Sequence, residues 1–187
     1  MPSTAGQSIL VIGGSSGIGA AVAKLASSRV IKSESGIPDA HVQGFTMDLS
    51  ATDTEARLEK VLLDVTADGK LDHIVVTAGS TSRRSIAETD RDNLLELTQL
   101  YLVAPALTAE RASSLVFCGG RGSRKPIKGS PAAAALSGGL EGLVHGLALD
   151  MAPLRVNVVN PGAAETELWG GMAEGRKQMP FAQLPLF

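Results

Sequence analysis

The sequence predicts an α/β protein built on a doubly wound, mostly parallel β-sheet. Three observations carry this. Short aliphatic runs recur along the chain. Helical, small-residue or amphipathic stretches separate them. The first run also ends directly in a glycine-rich turn, and that turn ends directly in a helical stretch.

The strand candidates come first. Residues 8–12, 73–77, 114–118 and 155–159 are β-branched or aliphatic, and each ends in small or turn-forming residues. Such unbroken apolar runs suit parallel strands covered on both faces. A fifth candidate, 41–46, alternates more and leads into Asp48. Four helices are expected between them. Residues 17–28 are alanine-rich, and 52–65 places Ala56, Leu58, Val61, Leu62 and Val65 at helical spacing. Residues 90–109 and 132–151 are long and mostly apolar. Right-handed crossovers turn this alternation into a doubly wound sheet. No internal repeat or linker interrupts it, so 1–187 reads as one domain.

Composition narrows the function classes. The 187 residues are 44% hydrophobic and 19% charged, with a net charge of −2. That balance fits a soluble globular chain and offers no basic face for a nucleic acid. The one cysteine, Cys118, excludes an internal disulfide, and with only three histidines a metal site has little support. No signal peptide is read at the N-terminus. The most apolar stretch, 131–152, is broken by Glu141, His145 and Asp150 and is not read as a membrane span. A cytoplasmic protein is expected.

The strongest motif is Gly13-Gly14-Ser15-Ser16-Gly17-Ile18-Gly19. Glycines allow a tight turn and close backbone approach, and the helix that follows offers unbonded N–H groups to a pyrophosphate. A plain glycine-rich turn is the alternative for the motif alone. Asp48 alone serves equally as a cap for the helix near Thr52, and Thr77-Ala78-Gly79 as an ordinary strand-end turn.

Taken in order, these motifs resemble the short-chain dehydrogenase/reductase family, over about residues 8–169. Gly13-x3-Gly17-x-Gly19, with Ser15, Ser16 and Ile18, resembles its cofactor loop. Asp48-Leu49 resembles the pair at the adenine ring. Thr77-Ala78-Gly79 resembles its Asn-Ala-Gly turn, with Thr for Asn. Residues 155–162, ending in Pro161-Gly162, resemble its sixth strand and Pro-Gly turn, and Thr166 falls beside the nicotinamide carboxamide. The resemblance implies an NAD(P)-binding Rossmann fold, a cofactor that is NADP rather than NAD on the slender ground of Lys32-Ser33, and a homodimer through 90–109 and 132–151. It implies a small carbonyl or alcohol substrate.

It also implies four catalytic positions, and this sequence departs at each. Gly120 stands at the serine, Ala133 at the tyrosine, Ser137 at the lysine and Gln99 at the asparagine. Register cannot repair this, because Tyr101 is the only tyrosine, far from any position with that role and, two residues from Gln99, on a nearly opposite helix face. Hydride arriving at a carbonyl leaves an alkoxide that needs a proton. The expectation is therefore an SDR-like oxidoreductase descendant with a non-standard proton donor; the alternatives are a cofactor-binding cyclase or isomerase of secondary metabolism, or a non-catalytic scaffold. No catalytic residue is assigned. Arg121 and Ser123, in the loop after the third apolar run, are candidates to face the substrate space, with Arg121 a candidate to hold an anion or a cofactor phosphate; a solvated loop is the commoner reading. Cys118 reads as a buried apolar residue, His145 as structural or surface, and Glu165 as a weak acid/base candidate.

Two family pieces look short. Asp48 comes only twenty residues after the first helix, so 29–31 is read as a remnant of a second strand or 32–38 as the tail of a second helix. After Thr166 only 21 residues remain, 170–187 carries no clear element, and a last strand is expected to be missing. That would leave an open sheet edge.

Overall fold

The computed structural model describes residues 6–32, 43–67, 69–80, 84–162, 164 and 166. Within them four strands form one parallel sheet in the order β1-β2-β3-β4, with β1 Ile9–Ile12, β2 Leu71–Val76, β3 Ala112–Cys118 and β4 Arg155–Val159. All four of the strongest apolar runs are therefore strands. The helices are α1 Gly17–Lys32, α2 Thr54–Val65, α3 Arg91–Thr98, α4 Ala104–Leu107 and α5 Pro131–Asp150.

Register arranges the sheet into rows. Leu10, Ile74, Leu115 and Val156 lie side by side on one face, as do Ile12, Val76, Phe117 and Val158. Ile74, Leu115 and Phe117 are 1% exposed or less. Against this face pack Leu58 and Leu62 of α2, Ala104 of α4, and Leu140 and Val144 of α5. The main core lies here. At about 25 cal/mol per Å² of apolar surface, each fully buried side chain of this size contributes roughly 1.5–3 kcal/mol. The opposite face carries Ile9, His73, Ser114 and Arg155 in one row and Val11, Val75, Val116 and Asn157 in the next. Most of these are half-buried, and Arg155 and Asn157 are exposed.

Several boundaries differ from the sequence reading. Residues 29–31 are not a strand remnant: α1 continues through them to Lys32. Nothing between Gly19 and Lys32 is a glycine or proline, so no residue there stops a helix once started. The fifth strand is also corrected over its described part. Residues 43–46 are exposed and have no ladder partner, because alternation without a neighbouring strand gives the backbone nothing to bond. Residues 41 and 42, the rest of a possible second helix at 32–38, and 170–187 lie outside the described residues.

The single helix expected over 90–109 is broken into pieces. Asp90 caps α3 by accepting a hydrogen bond from Asn93 N–H at 2.7 Å. Gln99–Val103 then forms a π-turn, and α4 and a short 3-10 turn, Ala109–Arg111, finish the segment. Pro105 explains the break: it has no N–H to donate and its ring crowds the turn before it. The α5 boundaries move by one residue at each end, to Pro131 and Asp150. Its length and apolarity would suffice to cross a membrane, and 17% of its most apolar window is buried within this chain. It packs on β4 and on residues 99–103 and 121–123.

Candidate functional site at the carboxyl edge of the sheet

Parallel strands deliver all their carboxyl ends to one edge, where ligands of open α/β sheets sit. Here that edge carries the glycine loop after β1, Thr77-Ala78-Gly79 after β2, Gly119-Gly120-Arg121 after β3 and Asn160-Pro161-Gly162 after β4.

The glycine loop is built as the sequence suggested. Gly13 has φ +89° and Gly17 φ +53°, the left-handed region that favours glycine. A Cβ at Gly13 would lie 2.6 Å from Ala78 N, and one at Gly19 would collide with Gly13 O and Thr77 Oγ1. Glycine is thus required for the loop to close onto the β2 turn. Ser15 and Ser16 stay exposed, Gly14 and Ile18 are half-buried, and the first bond of α1 runs from Ala20 N–H to Ser16 O at 3.0 Å. The N–H groups of Ile18 and Gly19 precede that bond, at the positive end of a 16-residue helix.

Thr77 is a brace. Its N–H donates to Ile12 O at 2.8 Å and its hydroxyl reaches Ile12 O at 3.1 Å and Gly13 O at 3.3 Å. The turn thus holds the loop. Gly79 lets the Tyr101 ring approach, since a Cβ there would sit 3.3 Å from its Oη. Tyr101 Oη accepts from Ser80 N–H at 3.0 Å and donates to Ser80 O at 2.9 Å. The chain's one phenol is therefore tied to backbone.

Asp48 and Leu49 part company. Leu49 is buried in the core, while Asp48 is exposed and turns back on its own loop, accepting from Ser50 N–H at 2.9 Å and Ser50 Oγ at 2.7 Å. The Ser50 hydroxyl, then its N–H, holds the Asp48 carboxyl below its ordinary value. Asp48 does not cap α2; the residue before that helix is Asp53.

Across the β3–β4 end, a network missed by the motif reading appears. Glu141 on α5, its side chain 13% exposed, accepts from Ser123 Oγ at 2.6 Å, Asn160 Nδ2 at 2.8 Å and Arg124 Nε at 3.3 Å. The Ser123 hydroxyl is the main cause of a Glu141 carboxyl held below the usual range. One helical residue thereby pins the β3 loop and the β4 turn together. Ala133, Ser137 and Glu141 are spaced by four, so they share a helix face, and that spacing was the available signal. Ser137 spends its hydroxyl on Ala133 O at 2.7 Å.

Of the other candidates, Cys118 is half-buried, and burial pushes its thiol up, away from the reactive thiolate. His145 is exposed on α5. Pro161 and Thr166 are half-buried and Gly162 is exposed at the β4 end; Lys32 ends α1 instead of following a strand, so the strand-end placement behind the NADP preference is corrected, and Ser33 and Glu165 lie outside the described residues.

With a parallel sheet, a glycine loop at its carboxyl edge and a Pro-Gly turn after the last strand, the comparisons fall in one place. An SDR-like Rossmann domain matches residues 3–182. The chain belongs to the short-chain dehydrogenase/reductase family. It is 39% identical to the short-chain dehydrogenase/reductase ATR9 of Stachybotrys chlorohalonatus, over 93% of this chain and 80% of that one. Among solved structures it resembles the MalC reductase/Diels–Alderase of Malbranchea aurantiaca, with a TM-score of 0.79 and 31% identity, covering 88% of this chain and 76% of that one. It also resembles a short-chain dehydrogenase of Burkholderia cenocepacia in complex with NADP, with a TM-score of 0.75 and 25% identity, covering 89% and 78%.

Proposed function

We propose that this SDR protein binds NADPH along the carboxyl edge of its sheet and acts there on a small carbonyl-derived substrate without a Tyr-Lys acid/base pair. The observation that carries the first half is the glycine loop braced by Thr77, at which no side chain larger than hydrogen fits positions 13 and 19. The bound cofactor would supply a hydride. Gly14, Ser15, Ser16, Gly17, Ile18 and Gly19 would hold its pyrophosphate, and Thr77, Ala78, Gly79, Pro161, Gly162 and Thr166 would line the way to its nicotinamide end. Asp48 retains one carboxylate oxygen not used by Ser50 for the adenine side.

The second half follows from residue identity. Gly120, Ala133 and Ser137 carry no phenol and no amine, and Tyr101 is spent on Ser80. Such a site orients and stabilises; it does not donate a proton through tyrosine. The likeness to MalC, named for both reduction and a Diels–Alder reaction, favours a second reading in which orientation of a folded substrate achieves cyclisation.

Titration with NADPH and NADH, followed through Trp169 and by calorimetry, tests the binding. Saturable NADPH binding, tighter than NADH, is expected; a folded protein that ignores both would overturn the proposal. The triple variant Gly120→Ser, Ala133→Tyr, Ser137→Lys then tests the emptied tetrad, and gain of carbonyl reduction is the expected outcome.

The same reading makes the protein a cytoplasmic homodimer. Support comes from α3 and α5: Leu94 and Leu95 are 43% and 51% exposed, and Leu149 is 81% exposed. Such apolar exposure on a mostly uncovered helix favours pairing. Sedimentation velocity should show a dimer that Leu149→Glu weakens; a wild-type monomer would reject it.

A further inference from the structure

The β3 loop holds a cation that nothing in the described protein answers. Gly119 and Gly120 end β3, and a Cβ at Gly120 would meet nothing within 4 Å, so open space lies there. The 3-10 turn Arg121–Ser123 follows. Gly122 fixes this turn to α5, since a Cβ on it would sit 3.3 Å from Ser137 Oγ and 3.8 Å from Ala134 Cα. Arg121 stands in sequence between the open position and the glycine packed on α5. Its Nε is shut off from solvent and has no hydrogen-bond partner, and among the described residues no carboxylate lies within ion-pair distance of it. The Glu141 carboxylate bonds Ser123, Arg124 and Asn160 instead.

A second orphan stands at the start of α5. Ser130 is 6% exposed, makes no cap bond and leaves its Oγ unpartnered. Pro131 has no N–H, and the first helical bond runs from Ala134 N–H to Ser130 O, so Ala132 and Ala133 have no helical acceptor either. Leaving a buried donor unmade is costly, and more so for a charged group. An unpartnered guanidinium N–H suits an anion, and so do free N–H groups at the positive end of a 20-residue helix.

We propose that Arg121 is the recognition residue for a carboxylate on the substrate, with Ser130 and the start of α5 completing its surroundings. A guanidinium presents parallel N–H groups that match two carboxylate oxygens. This rests on the carboxyl edge being the ligand site and adds to it the substrate class: a small molecule with a carboxylate beside the reacting group.

The probes are benzoate and methyl benzoate, titrated calorimetrically into the NADPH-saturated protein and into the protein alone. Benzoate should bind about tenfold more tightly than its uncharged ester, the size of one charge-assisted contact. Arg121→Gln should erase that preference, Arg121→Lys should keep part of it, and the NADPH affinity should not move. Equal binding of the two probes, binding of neither, or a preference that survives Arg121→Gln overturns the assignment. So does a large loss of NADPH affinity in Arg121→Gln, which would give the guanidinium to the cofactor. If NADPH fails to bind while the benzoate preference persists, the cofactor reading falls and the carboxylate site stands.

Discussion

The two faces of the sheet are built from the same four strands yet are covered very differently. On one face Ile74, Leu115 and Phe117 are sealed by α2, α4 and α5. On the other, Val11, Val75 and Val116 are only half-buried, and Val159 is 54% exposed. Parallel strands read as continuous apolar runs because both faces are normally covered. The difference teaches that strand composition reports the demand for cover, while neighbouring helices decide how much each face receives.

This comparison can be broken by paired truncations. Phe117→Ala should cost about 3–5 kcal/mol, because the cavity it leaves is walled by packed side chains. Its sequence neighbour, Val116→Ala, on the other face, should cost about 1 kcal/mol. Urea denaturation measures both, and similar losses would mean that the second face is better covered than its exposure indicates. Tyr101→Phe comes next. It removes the phenol from Ser80 N–H and Ser80 O, with an expected loss of about 1–2 kcal/mol and no fall in whatever turnover is found. Abolished turnover with an unchanged melting temperature would return Tyr101 to the chemistry. Val159→Thr, on the exposed edge strand, should change stability by less than about 0.5 kcal/mol.

Glu141 gives the smallest and most pH-specific effect. Its folded carboxyl is held below the ordinary glutamate value, chiefly by Ser123. A depressed value adds stability that is present above the unfolded pKa and lost as pH falls through the folded one. Melting from about pH 5 to about pH 3 should therefore fall more steeply in wild type than in Glu141→Gln. Parallel profiles would show that the network does not distinguish the ionised acid.

Much of the fold could be read from local pattern. A run such as 74–76 is apolar without a break, and 52–65 has a helical repeat, so β2 and α2 needed only short-range information. The glycine loop was equally legible, because left-handed backbone and close approach leave glycine as the only residue that fits. Residues 29–31 and 43–46 misled for the opposite reason. Whether β-branched residues pair depends on a strand being beside them, and none of the described strands is.

The sequence by itself determined the parallel α/β class, the family and the position of the glycine loop, since each depends on residue type at a fixed spacing. Tertiary structure alone decided the rest. It bound Tyr101 to Ser80, turned Asp48 onto Ser50, gathered Ser123, Arg124 and Asn160 around Glu141, and left Arg121 without an acid among the described residues. These contacts join residues far apart in the chain, or choose among several polar partners at comparable reach. Only the packed backbone sets those distances, and at hydrogen-bond range a shift of one ångström decides which partner is met.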